Sequence, residues 1–347
     1  MLSKGLRYED LGRRVHLREY LEVLLRTRRS ERIVKAVGLH RFGGPEVLRV
    51  LDLPAPQAGP GEVRIRVHAA AVNPTDVLLR TGGHAVRMAG RRPPYVPGMD
   101  AAGVIDQLGP GTDERFTVGQ RVIALVLFTG AGGGAYAEQV VVPAASVVPA
   151  PAGADFFEAS TLLMNAMTAR LALDEMALPA GRTVAVTGAA GAVGGYAVQL
   201  AKADGLTVIA DAAPHDTDLV RSLGADHVVE RGPDVADRIR ALVRSGVPGL
   251  VDGAMQTTEV VPAVADGGTL IQIRGWAGPA ERGIRVCPVM VGDHLTDTGH
   301  LDRLRRQAED GTLMLRVAEV LPAEDAARAH RMLEAGGVRG RLVLDFG

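Results

Sequence analysis

The chain has little cysteine, few aromatic residues, almost no lysine and no long apolar run. Cys287 is the only cysteine among 347 residues. No disulfide can form within the chain, and a cysteine-rich zinc site is excluded. That composition fits a reducing, cytoplasmic setting. Aromatic residues make up 3%, too few for the stacking platform that holds single-stranded nucleic acid. Lys and Arg number 39 against 40 Asp and Glu, a net charge of -1. Nothing in that balance attracts nucleic acid or an anionic membrane. A membrane-spanning helix needs about 18 consecutive apolar residues or more. The longest dense apolar run, Val122 to Phe128, has only strand length. The remaining composition is that of a globular chain, and the length suggests two domains at roughly 150 residues each. What is abundant is glycine and proline, 43 and 20 residues. Turns and close backbone approaches are therefore expected.

Residues 1–33 stand apart. They hold nine basic and five acidic side chains, with Leu11, Val15, Leu17, Leu21, Leu24 and Leu25 compatible with an apolar helical stripe. No apolar core follows the basic start as in a secretory signal. Lysine is restricted to Lys4, Lys35 and Lys202, which suggests GC-rich codons and makes Val34 a candidate GTG start. We treat 1–33 as an N-terminal extension outside the functional argument.

From Val34 the pattern is short strands with Gly/Pro corners. Val34–Leu39, Val47–Leu53, Val63–Val67, Gly103–Gln107, Arg121–Phe128 and Ala137–Val142 read as strands of an all-β barrel. The texture changes near Pro149-Ala150-Pro151. A helix is expected over Asp155–Leu173, followed by strand 183–187, helix 191–204, strand 207–210, helix 216–223, strand 227–229, helix 234–244 and strand 249–252. This alternation predicts a parallel sheet with helices on both faces. The tail from about Gly292 is mixed and ends in a strand, Arg341–Phe346.

The central motif is Gly188-Ala189-Ala190-Gly191-Ala192-Val193-Gly194, between a predicted strand and a predicted helix. Such a turn lets backbone approach a pyrophosphate where a Cβ would block it. The helix after it presents unpaired N–H groups and a positive dipole end. Asp211 lies 23 residues beyond Gly188, near the spacing of a ribose-binding carboxylate.

These residues, with Phe42-Gly-Gly-Pro-Glu-Val-Leu48, Ala71-Val-Asn-Pro-Thr-Asp76, Pro97-Gly-Met-Asp-Ala-Ala-Gly103, Gly134-Ala-Tyr-Ala-Glu138, Leu223-Gly-Ala-Asp226 and Gly340-Arg-Leu-Val343, resemble the medium-chain dehydrogenase/reductase superfamily. Within it the chain looks like the zinc-independent quinone oxidoreductase group. The resemblance implies an α/β fold: a GroES-like β-barrel domain over 34–152, a Rossmann doubly wound parallel-sheet domain over 153–291, and a return of 292–347 to the first domain. It implies NADH or NADPH as cofactor, a small-molecule substrate and a homodimer. Zinc-dependent relatives have a Cys where this chain has Asn73 and a Gly-His-Glu where it has Gly98-Met99-Asp100. No metal site is therefore expected.

The expected activity is hydride transfer to a quinone or an α,β-unsaturated carbonyl compound. The alternatives are an enoyl reductase of a natural-product or acyl-thioester pathway, and a non-catalytic nucleotide-binding redox sensor. Asn73, His84 and Thr168 are the catalytic candidates. Asn73 is a donor for a developing oxyanion. His84 stands where many members have a Tyr, and its imidazole can act as a general acid. Asn165, Thr168, Gly188, Ala189, Gly191, Ala192, Val193, Asp211 and Arg341 are the cofactor candidates. A carboxylate at Asp211 favours the ribose 2′-OH of NADH and repels the 2′-phosphate of NADPH.

Overall fold

A computed structural model describes residues 32–130, 132–276, 278 and 281–347. The extension lies outside the described residues except for Arg32 and Ile33.

Six strands form a parallel sheet. They are β8 (Thr183–Thr187), β9 (Thr207–Ala212), β10 (His227–Glu230), β11 (Val247–Asp252), β12 (Val264–Gln272) and β13 (Arg285–Pro288), in the order β10-β9-β8-β11-β12-β13. Every neighbouring pair is parallel. The order reverses direction between β8 and β11, which opens a crevice at their carboxyl ends. β8 (TVAVT) and β9 are apolar runs buried on both faces, as strands covered by helices on two sides must be.

The other sheet has seven strands. β3 (Glu62–Ala71), β4 (Asp100–Leu108), β5 (Arg121–Leu125) and β7 (Val147–Pro149) follow one another antiparallel, and β6 (Gln139–Pro143) pairs with β3. Val63, Ile65 and Val67 alternate with Arg64 and Arg66 and are buried, worth about 1.5–3 kcal/mol each for the larger side chains. β1 (Ile33–Gly38) and β2 (Arg49–Pro54) form a separate ribbon. β14 (Val317–Pro322) and β15 (Arg341–Asp345) come from the end of the chain. β15 pairs antiparallel with β3, Val343 opposite Ala71. The C-terminal segment thus returns to the first sheet and sets Arg341 beside Val72 and Asn73.

Two helical expectations change. The helix expected over 155–173 is broken into α2 (Phe156–Ser160) and α3 (Leu163–Met176). The Ser160 hydroxyl donates to the Phe157 carbonyl at 2.8 Å and the Thr161 hydroxyl to the Glu158 carbonyl at 2.7 Å, which competes with helix continuation. An unexpected helix, α1 (Pro74–Thr81), follows β3. Asn73 caps it, and the Asp76 carboxylate accepts from the Asn73 N–H. The remaining helices are α4 (Ala192–Ala203), α5 (Thr217–Ser222), α6 (Val235–Leu242), α7 (Thr298–Glu309) and α8 (Ala326–Ala335).

Candidate active site

The glycine-rich turn links β8 to α4. Gly188 has φ +67, and a Cβ there would lie 2.7 Å from the Gly253 carbonyl carbon. A Cβ on Gly194 would lie 2.3 Å from the Gly188 oxygen. Both positions require glycine. Gly191 is the N-cap of α4 and no side chain caps the helix. Its first N–H groups, beginning at Ala192 and Val193, therefore remain available to an anion.

Asp211 stands near the end of β9, beside this turn. Its Oδ1 accepts from the Ala189 N–H at 3.2 Å, and its buried Oδ2 has no partner among the described residues. A buried acceptor without a donor is costly, and a ribose hydroxyl would supply one. Burial pushes the Asp211 carboxyl upward, while the Ala189 N–H and the nearby Arg231 charge oppose the shift. The residues present thus fit a dinucleotide: a cradle that a Cβ would fill, an uncapped helix start and an orphaned ribose acceptor.

Arg316, absent from the expectations above, packs on the same turn. Its guanidinium donates to the carbonyls of Ala190 at 3.1 Å and Gly191 at 2.7 Å. Arg339 grips Asp216 at the start of the α5 region through two bonds of 2.6 and 2.7 Å. Both arginines come from the C-terminal segment, more than 100 residues away in sequence. No local signal could have placed them.

Arg341 faces the other way. Its guanidinium donates to the Val72 carbonyl and, at 2.6 Å, to Asn73 Oδ1. Asn73 itself is buried and fully engaged. Its Nδ2 donates to Asp100 Oδ2 at 2.8 Å and to the Ala71 carbonyl at 3.3 Å. Asp100 Oδ1 accepts from the Met164 N–H at 2.9 Å, which fastens the start of α3 to β4. Asn73 is therefore the joint of a buried cluster, with both amide N–H groups already used.

Behind that joint runs a chain of polar groups. Asp76 accepts from the N–H groups of Asn73 at 2.8 Å and Gly98 at 2.9 Å, and from the Tyr136 hydroxyl at 3.1 Å. Tyr136 lies 3.3 Å from His330 Nε2, and Arg80 Nε donates to His330 Nδ1 at 3.2 Å. Arginine has no acceptor, so Nδ1 is the acceptor and the ring proton sits on Nε2. Arg80 is in turn paired with Glu334 of α8. Burial, aided by the Arg80 charge, lowers His330 to about 3, so it is neutral. Burial raises Asp76 and Asp100 to about 6 each, against the hydrogen bonds that favour their ionised forms.

Asn165 and Thr168 share a face of α3, three residues apart. The Thr168 hydroxyl donates to the Met164 carbonyl at 2.7 Å, whereas the buried Asn165 Nδ2 has no partner among the described residues. His84 follows α1 and is half-buried, its ring 5.4 Å from that of Phe128. Its Nε2 is buried without a partner among the described residues. Burial, then the charge of Arg87, lowers its pKa. Met88, Met99, Phe128, Met164 and Met167 belong to one core cluster, so the His84 segment packs at the same junction as the Asp100–Met164 contact.

Comparison with known proteins agrees with this geometry. The alcohol dehydrogenase GroES-like domain family matches residues 59–152, and the zinc-binding dehydrogenase family matches 223–344. The quinone oxidoreductase of Pongo abelii is 30% identical over 335 residues, covering 91% of this chain and 98% of its own. A solved NAD-dependent alcohol dehydrogenase superposes with a TM-score of 0.80 at 33% identity, over 90% of this chain and 100% of its own. The mycobacterial protein Rv1454c in complex with NADPH gives 0.77 at 29%, over 90% and 99%. The chain belongs to the medium-chain dehydrogenase/reductase superfamily, in its quinone oxidoreductase-like group, and is an NAD(P)H-dependent oxidoreductase.

Proposed function

We propose that this enzyme reduces a quinone or an α,β-unsaturated carbonyl compound without zinc. The observation that carries the zinc-free reading is the Asn73–Asp100 bond of 2.8 Å. An open catalytic zinc takes three nitrogen, sulfur or carboxylate ligands. Here the corresponding positions hold an amide, the Met99 thioether and a carboxylate whose two oxygens are committed to Asn73 and Met164. Arg341 adds a buried cation against the same amide, which further disfavours a metal ion.

A reduced nicotinamide dinucleotide, when bound, supplies the hydride. Ala192 and Val193 would take its pyrophosphate through their free backbone N–H groups, while Gly188, Ala189 and Gly191 shape the cradle, the Ala189 N–H held by Asp211 and the Gly191 N–H by the Gly188 carbonyl. Asp211 takes the ribose hydroxyl through its free Oδ2. Asn165 offers its unused amide donor beside Thr168, and the two would hydrogen-bond the nicotinamide end of the cofactor or a developing oxyanion. Asn73 and Arg341 are positioning residues, which hold Asp100 and through it the start of α3. His84 gives the proton that completes reduction of an enone, whereas a quinone oxygen can take its proton from water. NADH is used at least as well as NADPH.

We divide the chain into a catalytic domain of 34–152 with 292–347 and a nucleotide-binding domain of 153–291. The enzyme works in the cytoplasm as a homodimer. Among the described residues no helix is long and apolar enough to cross a membrane. β13 is the outer strand of the parallel sheet and offers an edge for self-association. Light scattering on the purified protein tests the dimer.

The activity is tested by following NADH and NADPH consumption against small quinones and enones. Turnover with either class supports the reading. Binding of both nucleotides with no consumption against either panel would leave the redox-sensor alternative standing.

A further inference from the structure

The chain as a whole is electrically balanced, yet one lobe beside the junction is not. Between Asp76 and Asp100 there is no acidic residue, while Arg80, Arg87, Arg91 and Arg92 all fall there. The stretch Leu39–Val47 adds His40 and Arg41, with Glu46 its one acid. The structure joins the two stretches. Leu39 and Tyr95 form an antiparallel bridge, and Phe42 stacks on Tyr95 with ring centroids 5.4 Å apart. In an antiparallel bridge, His40 and Arg41 run alongside the residues just before Tyr95, toward Arg92.

Arg80 is spent on Glu334 and the Gly43 carbonyl. Arg41, Arg87, Arg91 and Arg92 are exposed, and none forms an ion pair among the described residues. Arg91 donates to the Gly130 carbonyl at 3.0 Å, which tethers the lobe to the segment just after Phe128. Arg87 is close enough to His84 for its charge to oppose protonation of the imidazole. Arg87 and Arg91 therefore lie on the side of His84 and Phe128, with Arg92 adjoining Arg91 in the chain and Arg41 two residues beyond the Leu39–Tyr95 bridge. Like charges held together in this way oppose one another. They are relieved by an anion, and a guanidinium forks well onto a carboxylate, phosphate or sulfonate.

We propose that the Arg41–Arg87–Arg92 rim is a subsite for an anionic group carried by the substrate, away from its reducible double bond. The substrate class is thus a quinone or enone with a carboxylate, sulfonate or phosphate tail. This rests on the reading that the adjoining cleft takes a quinone or enone. The rim contributes to capture and orientation rather than to the chemical step, so its effect falls on KM and Kd and weakens with salt.

The test compares a sulfonated naphthoquinone with the same naphthoquinone lacking the sulfonate, on the full chain. Binding is read by calorimetry and turnover by NADH consumption, each at low and high salt. Wild type should bind the sulfonated compound about five- to tenfold tighter at low salt, as partly screened surface charges allow, and high salt should shrink that gain. The triple variant Arg41→Gln, Arg87→Gln, Arg92→Gln should lose the gain, with kcat on the neutral quinone unchanged. The matching lysine variant should keep most of it, which separates charge from a folding defect. Equal binding of the two compounds by wild type overturns the proposal, as does a gain that survives in the glutamine variant. Retention on heparin without preference for the sulfonated quinone also overturns it, by assigning the rim to a polyanion. If the sulfonate gain appears but neither quinone is turned over, the hydride-acceptor reading fails and the rim stands.

Discussion

Asp211 gives the sharpest numerical prediction. Its Oδ1 holds the Ala189 N–H and its buried Oδ2 has no partner among the described residues, which leaves one acceptor free for the ribose under the proposed function. A hydrogen bond from a 2′-OH to a charged acceptor is worth about 1.5–3 kcal/mol. A 2′-phosphate at contact would instead meet a like charge, and two unit charges at about 4 Å repel by roughly 4 kcal/mol at an effective dielectric of 20. Arg231 acts on Asp211 from β10's far end and offsets part of that repulsion. Removing the charge should therefore shift the NADH/NADPH ratio of kcat/KM toward NADPH by about 10²-fold, each tenfold being about 1.4 kcal/mol. Asp211→Asn keeps an oxygen for Ala189, whereas Asp211→Ser removes both acceptor and charge, so Asn isolates the electrostatic part. Burial raises the Asp211 pKa, so discrimination against NADPH in wild type should grow as pH rises and the carboxylate ionises. The assay is kcat/KM with each nucleotide for the three proteins across pH. A wild-type preference for NADPH of about tenfold, unchanged in both variants, would show that Asp211 does not face the ribose.

Three further outcomes follow from the same geometry. Gly188→Ala places a Cβ 2.7 Å from Gly253 in a left-handed conformation and should lower stability by about 1–3 kcal/mol, read as a fall in Tm; an unchanged Tm would mean that the turn is not built as described. Asp100 has a folded pKa of about 6 against 3.8 in the unfolded chain, so it favours folding most in acid and loses that contribution as pH rises through about 6. The stability of wild type relative to Asp100→Asn should accordingly fall by about 2 kcal/mol between pH 4 and pH 7, measured by urea unfolding; a pH-independent difference would contradict the buried-carboxyl reading. His84→Phe should lower kcat on enones by about 10²-fold or less and spare quinones, and the wild-type enone rate should fall with rising pH through a value below the usual 6.5; wild-type rates for both substrate classes in the variant would reduce His84 to a loop residue.

The legible parts of the protein were the local ones. β8, the Gly188–Gly194 turn and α4 are contiguous, and steric need for glycine shows in the sequence. Asp211 follows at a fixed strand spacing, and its placement beside Ala189 needed no distant partner. The β3 alternation of valine and isoleucine with arginine likewise reads directly as a half-buried strand. By contrast, α1 starts within Asn73-Pro74, and its cap is made by Asp76, whose remaining oxygen is tied to Gly98 and is invisible locally. The split between α2 and α3 depends on two hydroxyls turning back onto carbonyls. The Arg80–His330 and Tyr136–Asp76 contacts join residues 250 and 60 positions apart, and those of Arg316 with the Ala190–Gly191 turn and of Arg339 with Asp216 span more than 100. The contacts of His330, Arg316 and Arg339 depend on the C-terminal segment, whose strand β15 pairs with β3. The sequence also suggested Asn73 as a free donor and Arg341 as a cofactor-binding residue, whereas tertiary packing engages each with the other.

The most direct test of a zinc-free NAD(P)H oxidoreductase is to measure bound metal and turnover on the same sample. Purified protein is analysed for zinc, treated with a chelator, and assayed with NADH and a small quinone before and after. The Asn73–Asp100–Arg341 cluster predicts zinc far below one per chain and the same rate on both sides of the treatment. One zinc per chain, with activity lost on its removal and restored on its return, would contradict the account.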